Sequence, residues 1–517
     1  MKENVGLLLT KRAELSPDVE GFVDCDTDRR FTFSEWNARA NRTAHFLRRL
    51  GVSKGDRVAL LQMNSVEYME SFFAIAKIGA ICVPLNWRLV PDELSFILRD
   101  AGASVLIYGS EFSAAVGDLR ERGDGVEGTL VRAWVHVGGE GERPDWALSY
   151  EDLQRESSEE EPWTGAEGRD ELYIMYTSGT TGLPKGVVHT HDSALWGLLT
   201  IGATVDQRPT DRYLVALPLF HVGALTPATG CAYRGVTMVV MRAFDPVKAW
   251  RLIEDEQITT GLMVPAMLNF MLRAYEPGKY DHSRVRWCMS GAAPVPVPLI
   301  EAYHKLGIEI HQVYGLTESC GPACLITGDD ALVRVGSTGR AFFHTDVRIV
   351  DDSGADCAPG EAGEVWVRGR HVMKEYWKRP DATAETVVEG WLRTGDGASM
   401  DEAGFVYIQD RIKDMIISGG ENVYPAEIEN VLLAHEGILD AAVIGQPSER
   451  WGESPLAIVV KGVPALSEHD VLAWCEGKLA RFKQPKGVRF VEEIPRNPSG
   501  KILKRVLRDE FPGPAPE

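Results

Sequence analysis

The first part of the chain alternates between helical and strand patterns of apolar residues. Residues 33–50 carry apolar side chains at helical spacing, with Ser34 as the expected N-cap. The runs 58–61 and 81–84 are short and apolar, which predicts buried strands, and residues 68–79 between them predict a helix that ends at Gly79. Alternation of this kind is typical of βαβ units and a parallel sheet.

The pattern changes twice further along the chain. A second alternating region covers residues 172–328, whereas residues 336–407 show short strands between Gly, Pro and Asp turns, which predicts a smaller β-rich subdomain. Beyond Asp410 a compact segment combines helices near 425–435 and 467–479 with a strand near 441–444. We therefore predict an α/β fold with an N-terminal domain of residues 1–409, made of two αβα subdomains and the β-rich one, and an α+β C-terminal domain of residues 410–517.

Composition narrows the class of protein. The chain has 517 residues, which favours several folding units, and 75 acidic against 55 basic residues give a net charge of -20. That balance is the opposite of a nucleic-acid binder's, so no nucleic-acid partner is expected. Eight scattered cysteines lack the spacing of a zinc site and fit a reducing compartment. No apolar window approaches the roughly 20 residues that span a bilayer. We expect a cytoplasmic protein without an integral membrane segment; peripheral membrane contact is left open.

The strongest local signal for chemistry lies at residues 176–186, directly after a predicted strand at 172–175. Its glycines allow close backbone approach, and its hydroxyls, amides and lysine can contact phosphate oxygens. The ordinary P-loop spacing is absent, because Gly182 stands three positions before Lys185. On composition alone, a flexible loop without a ligand remains an alternative. The residues predicted to hold phosphates are Thr177, Ser178, Gly179, Thr180, Thr181, Gly182 and Lys185.

Five further motifs follow this loop in order, at residues 290–294, 312–318, 391–396, 410–422 and 495–501. Together with the loop they resemble the acyl-adenylate-forming superfamily, which includes acyl-CoA synthetases, firefly-type luciferases and peptide-synthetase adenylation domains. The resemblance covers about residues 30 to 505. It implies that the two αβα subdomains are doubly wound and that the small C-terminal domain is mobile, rotating about the hinge residue Asp410.

The resemblance implies a two-step reaction. A carboxylate attacks the α-phosphate of ATP to give acyl-AMP and pyrophosphate, and coenzyme A then displaces AMP to give acyl-CoA. Bringing an anion onto a polyanion requires fixed positive charge and donors at the phosphates. ATP, Mg²⁺ and coenzyme A are therefore the expected cofactor and co-substrates.

The resemblance also assigns the catalytic and metal-binding roles. Lys501 reaches the active site from the small domain during adenylation. Thr180 and Glu318 face the metal, and hydroxyl and carboxylate are the hard oxygen ligands that Mg²⁺ prefers. His221 is placed at the carboxylate end of the acyl pocket, for positioning or gating; a core or loop histidine is the alternative.

The remaining residues implied by the resemblance bind the nucleotide or coenzyme A. Asp396 accepts from the ribose diol, as acidic residues do in dinucleotide folds, and the face of Tyr314 is suited to adenine. The adenine-side set is Gly291, Ala292, Ala293, Pro294, Gln312, Val313, Tyr314, Gly315 and Thr317. Arg411 joins Asp396 at the ribose or phosphate, and the thiol tunnel is assigned to Ser418, Gly419, Gly420, Glu421 and Asn422.

The acid is less constrained than the reaction. Within the superfamily, residues 175–179, 187–191, 316–321, 416–425 and 494–499 resemble those of bacterial FadD-type long-chain and very-long-chain fatty acyl-CoA synthetases. This resemblance implies a medium- to very-long-chain fatty acid as the substrate. An aryl acid of the feruloyl or benzoyl type is the alternative, and a catalytically silent nucleotide-binding protein is the alternative from another class. Small residues on the acyl side could leave room for a long chain or simply allow tight helix packing: Gly223, Ala224, Ala228, Gly230 and Ala232.

The sequence also bears on the acyl acceptor, and it leaves the oligomeric state open. Little chain follows Lys501, so no carrier domain is expected there and free coenzyme A is the expected acceptor. The expected partners are thus small molecules, namely a carboxylic acid, ATP and coenzyme A. A monomer and a homodimer remain equally open.

Overall fold

The computed structural model describes residues 3–513, except 124–127, 140–142, 178–183, 293–294, 412–413, 419–420, 449–450, 477, 480, 482 and 497–501. Its helices are α1 Gly6–Leu15, α2 Phe33–Arg49, α3 Val66–Ile78, α4 Pro91–Ala101, α5 Ser113–Glu121, α6 Tyr150–Arg155, α7 His191–Thr204, α8 Val222–Arg234, α9 Pro246–Asp255, α10 Pro265–Ala274, α11 Val297–Lys305, α12 Gly328–Ala331, α13 Pro380–Thr386, α14 Pro425–Leu433, α15 Glu468–Cys475 and α16 Lys504–Glu510.

The strands, in chain order, are β1 Glu20–Asp24, β2 Arg29–Thr32, β3 Arg57–Leu61, β4 Ile81–Pro84, β5 Ala103–Gly109, β6 Ala133–Val137, β7 Leu148–Ser149, β8 Glu171–Thr177, β9 Lys185–Thr190, β10 Arg212–Val215, β11 Thr237–Val240, β12 Thr260–Leu262, β13 Trp287–Gly291, β14 Glu309–Tyr314, β15 Cys324–Leu325, β16 Arg340–Ala341, β17 Asp346–Val350, β18 Gly363–Arg368, β19 Glu375–Tyr376, β20 Val387–Val388, β21 Trp391–Met400, β22 Val406–Arg411, β23 Ile416–Ser418, β24 Glu421–Val423, β25 Ile438–Ser448, β26 Gly452–Lys461 and β27 Gly487–Val491.

Two large sheets of mostly parallel strands carry the N-terminal part of the molecule. The first has the order β16-β15-β14-β13-β12-β10-β11-β1-β2 and is parallel from β14 to β1. The second has the order β19-β9-β8-β4-β3-β5-β6-β7 and is parallel from β8 to β7. In each sheet the chain adds parallel strands on both sides of a central strand, which is the arrangement of a doubly wound sheet. The predicted α/β fold class is therefore confirmed.

Two smaller sheets complete the fold. Strands β17, β18, β21, β20 and β22 form an antiparallel sheet that matches the predicted β-rich subdomain. Strands β24, β23, β26, β25 and β27 form the C-terminal sheet, on which α14, α15 and α16 pack. The apolar clusters of this last part contain residues between Ile416 and Phe511. A small C-terminal domain with its own core follows from this separation.

The assignment of strands to sheets differs from the linear division predicted from the sequence. Strands β8 and β9, which begin the second alternating region, belong to the sheet of the first region. Conversely, the hairpin β1–β2 at the start of the chain pairs through β1 with β11 in the other sheet. Apolar patterning identifies strands but carries no information on which partner each strand finds, and this division was therefore wrong.

The first long helix shows how local sequence sets the element boundaries. Helix α2 is capped by Thr32, whose hydroxyl accepts from the Glu35 amide, while the Glu35 carboxylate accepts from the Thr32 amide. The prediction of Ser34 as the cap was wrong, because the reciprocal Thr32–Glu35 pair forms a capping box two residues earlier. Helix α3 ends at Gly79 as predicted, with φ of 74° in the left-handed region. Among the described residues, no helix is both long and apolar enough to cross a bilayer.

Candidate active site

A cavity of about 1470 Å³ opens beside the carboxyl ends of the parallel strands. In doubly wound sheets this is where ligands bind. It extends from the start of β9 to helix α16 of the C-terminal domain, and it brings together motifs that lie far apart in the sequence. The predicted site residues that line it are Thr177, Lys185, His221, Gly291, Ala292, Gln312, Val313, Tyr314, Gly315, Thr317, Glu318 and Asp396.

The adenine-side motif lies where β13 and β14 end next to each other. Gly291 pairs with Val313, and a Cβ on Gly291 would stand 2.3 Å from the Val313 carbonyl oxygen. Ala292 follows with φ of 67°. A side chain at position 291 is therefore excluded by the neighbouring strand, and the chain turns sharply there, which leaves backbone groups facing the cavity.

A second close approach fixes the residues after β14. A Cβ on Gly315 would stand 1.5 Å from the Gly321 carbonyl oxygen, so only glycine fits. Between these glycines the chain forms a short 3-10 turn, Thr317–Ser319, which presents Glu318 to the cavity. The glycine spacing of this motif thus sets the position of its carboxylate.

The predicted ribose acceptor is already held by a tyrosine. The Tyr314 hydroxyl donates to Asp396 Oδ2 at 2.7 Å, and the Asp396 amide donates to the Thr394 hydroxyl oxygen. Asp396 is buried, and burial together with this carboxylate raises the pKa of Tyr314 well above its usual value. A buried carboxylate with a fixed orientation is a good acceptor for a diol.

The two ends of the phosphate loop are held together by strand pairing. Thr177 pairs with Lys185 across β8 and β9, and the Thr177 hydroxyl donates to the Lys185 carbonyl at 3.5 Å. The Lys185 ammonium lies 5.1 Å from the centre of the Tyr376 ring, and the Tyr376 hydroxyl donates to Glu318 Oε1 at 2.8 Å. One tyrosine therefore contacts both the cation and the carboxylate of the site.

His221 lines the cavity at the start of helix α8. It is the residue before helix α8, and its ring lies 4.4 Å from that of Phe220. Burial, with a contribution from the charge of Arg88, lowers the pKa of His221 to about 3. Its Nε2 atom is buried and finds no hydrogen-bond partner within the described part of the chain. A neutral imidazole with an unused polar atom at a cavity wall is typical of a ligand-contacting residue.

The apolar half of the cavity follows one face of α8. Its lining residues on this helix recur at helical spacing, and the facing wall comes from the end of α7 and from strands β10, β12 and β13. Gly223 and Gly230 line the cavity, whereas Ala224, Ala228 and Ala232 lie in the main apolar core. The two interpretations of the small residues therefore both hold, on different faces of one helix.

Arg234 lies at the end of α8 remote from His221. It is the last residue of α8 and lines the cavity, and its guanidinium donates to the Gly202 carbonyl at 3.2 Å and to the Gln207 carbonyl at 2.5 Å. These bonds tie the end of α8 to the end of α7.

The C-terminal domain contributes cationic side chains to the opposite wall. Lys504 and Arg508, one turn apart on α16, line the cavity together with Arg496. Lys504 pairs with Glu429 at 3.1 Å, and Arg508 pairs with Asp414 at 2.9 Å. Arg496 pairs with Asp440 at 2.8 Å, so each of these three cations already has a carboxylate partner.

Two family models match the chain. The AMP-binding enzyme model covers residues 9–377, and the model of the AMP-binding enzyme C-terminal domain covers residues 427–501. The chain belongs to the AMP-binding enzyme family. The resemblance derived from the ordered motifs is thereby confirmed.

This AMP-binding enzyme has full-length relatives. It is 46% identical over 517 residues to the long-chain-fatty-acid–CoA ligase FadD13 of Mycobacterium tuberculosis, covering 100% of both chains. It is 38% identical over 512 residues to a feruloyl-CoA synthase of Amycolatopsis sp., covering 98% of this chain and 99% of the relative. Among solved structures, a Mycobacterium tuberculosis fatty acyl CoA synthetase is 45% identical, with a TM-score of 0.79 and 98% of each chain covered.

Some predicted site residues of this AMP-binding enzyme fall outside the description. These are Ser178, Gly179, Thr180, Thr181, Gly182, Ala293, Pro294, Gly419, Gly420 and Lys501. For Arg411, Glu421 and Asn422 only the backbone is described, in strands β22 and β24. Ser418 is described but does not line the cavity: it is buried, and its backbone pairs with Glu421 and Gly452.

Lys504, Arg508 and Tyr376 are among the cavity residues of this AMP-binding enzyme that the sequence analysis missed. Lys504 and Arg508 follow the predicted catalytic lysine at helical spacing, so the pattern after residue 501 could have indicated them. Tyr376 lies in a two-residue strand outside the motifs used, and its contact with Glu318 depends on a fold-level approach that no local pattern predicts.

Proposed function

We propose that this AMP-binding enzyme is an ATP-dependent acyl-CoA synthetase that activates a long-chain fatty acid. It joins the acid to AMP with release of pyrophosphate and then transfers the acyl group to coenzyme A. The single observation that carries this proposal is the continuity of the cavity: its nucleotide-side residues, His221 and the apolar channel along α8 line one space. The named activity of the 46% identical relative supports it.

The nucleotide side supplies fixed contacts for ATP. Asp396 accepts from the ribose, the strand ends around Gly291 and Tyr314 receive the adenine, and the loop from Thr177 to Lys185 holds the β- and γ-phosphates. These groups are held before ATP arrives, by the Tyr314–Asp396 bond and by the pairing of β8 with β9. Donors and charges that need no rearrangement are the most effective at stabilising charge that develops in a transition state.

The residues at the phosphate side fit a Mg²⁺ ion. Glu318 offers a carboxylate to the cavity, and no group of three or more His, Cys, Asp or Glu capable of caging a metal occurs in the described part of the chain. Mg²⁺ usually takes one or two carboxylates and completes its shell with water and substrate phosphates. Glu318, with Thr180 as proposed from the motif, would hold the ion. When bound, the ion supplies charge neutralisation at the phosphates.

The carboxyl group of the acid is placed beside His221. The imidazole is neutral, and its buried Nε2 has no hydrogen-bond partner among the residues that the structure describes, so it can hydrogen-bond to the carboxyl group without adding charge. Attack of the carboxylate oxygen on the α-phosphate forms the new P–O bond and breaks the bond to pyrophosphate. We propose that Lys501 meets the negative charge that develops at the α-phosphate.

The hydrocarbon chain lies along α8. This helix has 13 residues, so its cavity-lining face is about 20 Å long at about 1.5 Å per residue. That length suits an extended alkyl chain better than a single aromatic ring. Gly223 and Gly230 leave the space open, and Arg234 limits it.

The second step uses the C-terminal domain, which we propose to begin at Asp410. Rotation about that residue would replace Lys501 by the turn around Gly419 and Gly420. Free coenzyme A then attacks the anhydride carbonyl, and AMP leaves. Arg496, Lys504 and Arg508 line the cavity and are each paired with a carboxylate, so phosphates of ATP or coenzyme A would have to compete with these ion pairs. A cytoplasmic location and a monomeric or homodimeric state remain predictions.

An aryl acid is the second candidate, favoured by the feruloyl-CoA synthase at 38% identity. The experiment that separates the two is pyrophosphate release from ATP, measured with saturated acids from C2 to C24 and with ferulate and benzoate. We expect the highest kcat/KM for a long-chain acid. An aryl acid at the top would replace the fatty-acid proposal, and no release with any acid would overturn the ligase proposal.

A further inference from the structure

The turn that carries Glu318 is held by its backbone from three directions. Each of its three successive carbonyl oxygens accepts a hydrogen bond from a residue that lies far away in the sequence. His189 Nε2 donates to the Thr317 carbonyl at 2.7 Å, the Met373 amide donates to the Glu318 carbonyl at 2.7 Å, and His371 Nδ1 donates to the Ser319 carbonyl at 2.9 Å. A 3-10 turn of three residues has few internal bonds, so these outside donors determine where it lies.

The two histidines use opposite ring nitrogens. In His189 the remaining atom, Nδ1, accepts from the Ser193 hydroxyl at 3.1 Å, and in His371 the remaining Nε2 accepts from the Thr345 hydroxyl at 2.7 Å. A carbonyl oxygen can only accept, so the nitrogen that faces it must carry the hydrogen. Each ring is thus assigned one neutral tautomer by its partners, and the two tautomers differ.

Burial keeps both rings neutral. His189 and His371 are both 0% exposed. Burial lowers the pKa of His189 to about 4 and lowers the pKa of His371 as well, more than their carbonyl partners raise it. At neutral pH each ring is therefore a fixed donor on one side and a fixed acceptor on the other.

The histidines connect the turn to two other parts of the site. His189 lies on β9, the strand that begins with Lys185 at the end of the phosphate loop. His371 lies just before Met373 and Tyr376, and the Tyr376 hydroxyl holds the Glu318 side chain. The backbone of the turn is thus held from β9 and from the segment 371–376, and the carboxylate it carries is held from the second of these.

We propose that His189 and His371 are positioning residues for adenylation. They determine the position and orientation of the Thr317–Ser319 turn in the site. They thereby determine where the Glu318 carboxylate lies relative to the phosphates held next to Lys185. This inference rests on the proposed function, in which Glu318 serves the phosphate side of the adenylation step. A purely structural role as buried polar residues is the alternative.

Amide side chains separate the two roles, because asparagine places its NH₂ near the Nδ1 position and glutamine places it near the Nε2 position. We would make all four variants: His189→Gln, His189→Asn, His371→Asn and His371→Gln. Each is assayed for pyrophosphate release, for thioester formation from preformed acyl-AMP and coenzyme A, and for its melting temperature. The last two readouts do not depend on Glu318 meeting the phosphates.

We expect the tolerated amide to differ between the two positions, glutamine at 189 and asparagine at 371. His189→Gln and His371→Asn keep the donor in place and retain most of the adenylation rate. His189→Asn and His371→Gln lose it and reduce adenylation by about 10- to 100-fold, the usual effect of removing a residue that orients a metal-site ligand. Thioester formation stays close to that of the wild type in all four.

Three results would overturn this inference. One is equal activity of the two variants at each position. Another is loss of adenylation in proportion to the melting temperature, and the third is equal loss of both half-reactions. In each of these cases the wild-type enzyme still releases pyrophosphate, so the proposed function stands. If the wild type releases none with any acid, the proposed function itself fails.

Discussion

The two halves of the cavity are built in different ways. On the nucleotide side, polar groups are fixed before any ligand arrives: Tyr314 holds Asp396, Tyr376 holds Glu318, and strand pairing holds the ends of the phosphate loop. On the acyl side, the walls are apolar side chains and glycines, with Arg234 at the far end. Polar contacts constrain a ligand's position, whereas an apolar channel constrains only its shape and length.

This difference suggests that one half of the cavity determines the reaction and the other half determines which acid is used. The relatives named for a long-chain fatty acid and for a feruloyl group match this chain over nearly its whole length. One reaction applied to different acids would use the proposed nucleotide half for every acid and the proposed acyl half to select among them. We expect substitutions in the first half to change rate for every acid, and substitutions in the second to change only which acid is preferred.

The largest effect is expected at Lys501. Lys501→Ala removes the cation proposed to meet charge at the α-phosphate, and adenylation should fall by about 10²- to 10³-fold or more. Thioester formation from preformed acyl-AMP should be largely intact, because that step uses the other domain orientation. Single-turnover assays of the two half-reactions measure both, with the exposed Lys305→Ala as the control. Equal loss in both half-reactions would contradict the two-state rotation.

The next effect tests the nucleotide half through its described geometry. Asp396→Asn removes a charged acceptor from the ribose, and kcat/KM for ATP should fall by about 10- to 100-fold with every acid, since hydrogen bonds to charged groups contribute about 1.5–3 kcal/mol. Tyr314→Phe removes only the hydroxyl that orients Asp396 at 2.7 Å and should cost less. Steady-state kinetics at varied ATP give both values. If Asp396→Asn lowered kcat/KM only with long-chain acids, the two halves of the cavity would not have the separate roles proposed here.

A smaller and selective effect is expected in the acyl half. The Cβ of a residue at 230 would lie 3.7 Å from the Leu198 Cδ2 atom, an ordinary contact, so a side chain there points into space that the channel uses. Gly230→Leu should lower kcat/KM for C16 acids by about tenfold or more and leave C6 acids nearly unchanged. Gly117→Leu, where a Cβ meets nothing within 4 Å, is the matched control. A uniform loss at all chain lengths would place the acyl chain elsewhere.

The smallest effect concerns His221 and the pH dependence of stability. Its folded pKa of about 3 lies below the value of about 6.5 expected on unfolding, so it contributes stability above pH 6.5 that is lost as the pH falls toward 3. Between pH 5.5 and 4 the His221→Phe variant should therefore lose up to about 1.4 kcal/mol less stability per pH unit than the wild type. Urea unfolding at several pH values measures this, with the exposed His469→Asn as the control. Identical slopes in wild type and His221→Phe would show that His221 is protonated in the fold.

The sequence pattern predicted more of the cavity lining on the proposed nucleotide side than on the proposed acyl side, for a physical reason. Close backbone contacts demand glycine at Gly291 and Gly315, and fixed polar contacts demand particular side chains, so this half leaves a readable pattern. The channel needs only apolar or small residues, which core packing also uses; Gly230 and Ala228 could not be separated until the faces of α8 were known.

Contacts between residues far apart in the sequence were the second feature that the sequence analysis could not predict. The exchange of strands between the two large sheets, and the approach of Tyr376 to Glu318 and of His371 to Ser319, depend on partners far away in the sequence. By contrast, local signals were sufficient for most boundaries, such as β4 at Ile81–Pro84 and the end of α3 at Gly79. Capping, turns and periodicity act over a few residues, so they predict the boundaries of helices and strands but not the long-range partners of these elements.

The most direct test of the central claim is a crystal structure of this enzyme with a hydrolysis-resistant long-chain acyl-adenylate. The account predicts the adenine of AMP against the ring of Tyr314 with its ribose at Asp396, the acyl linkage beside His221, and the alkyl chain along α8 past Gly230 toward Arg234. An adenylate bound at these strand ends with its chain leading away from α8 would contradict it.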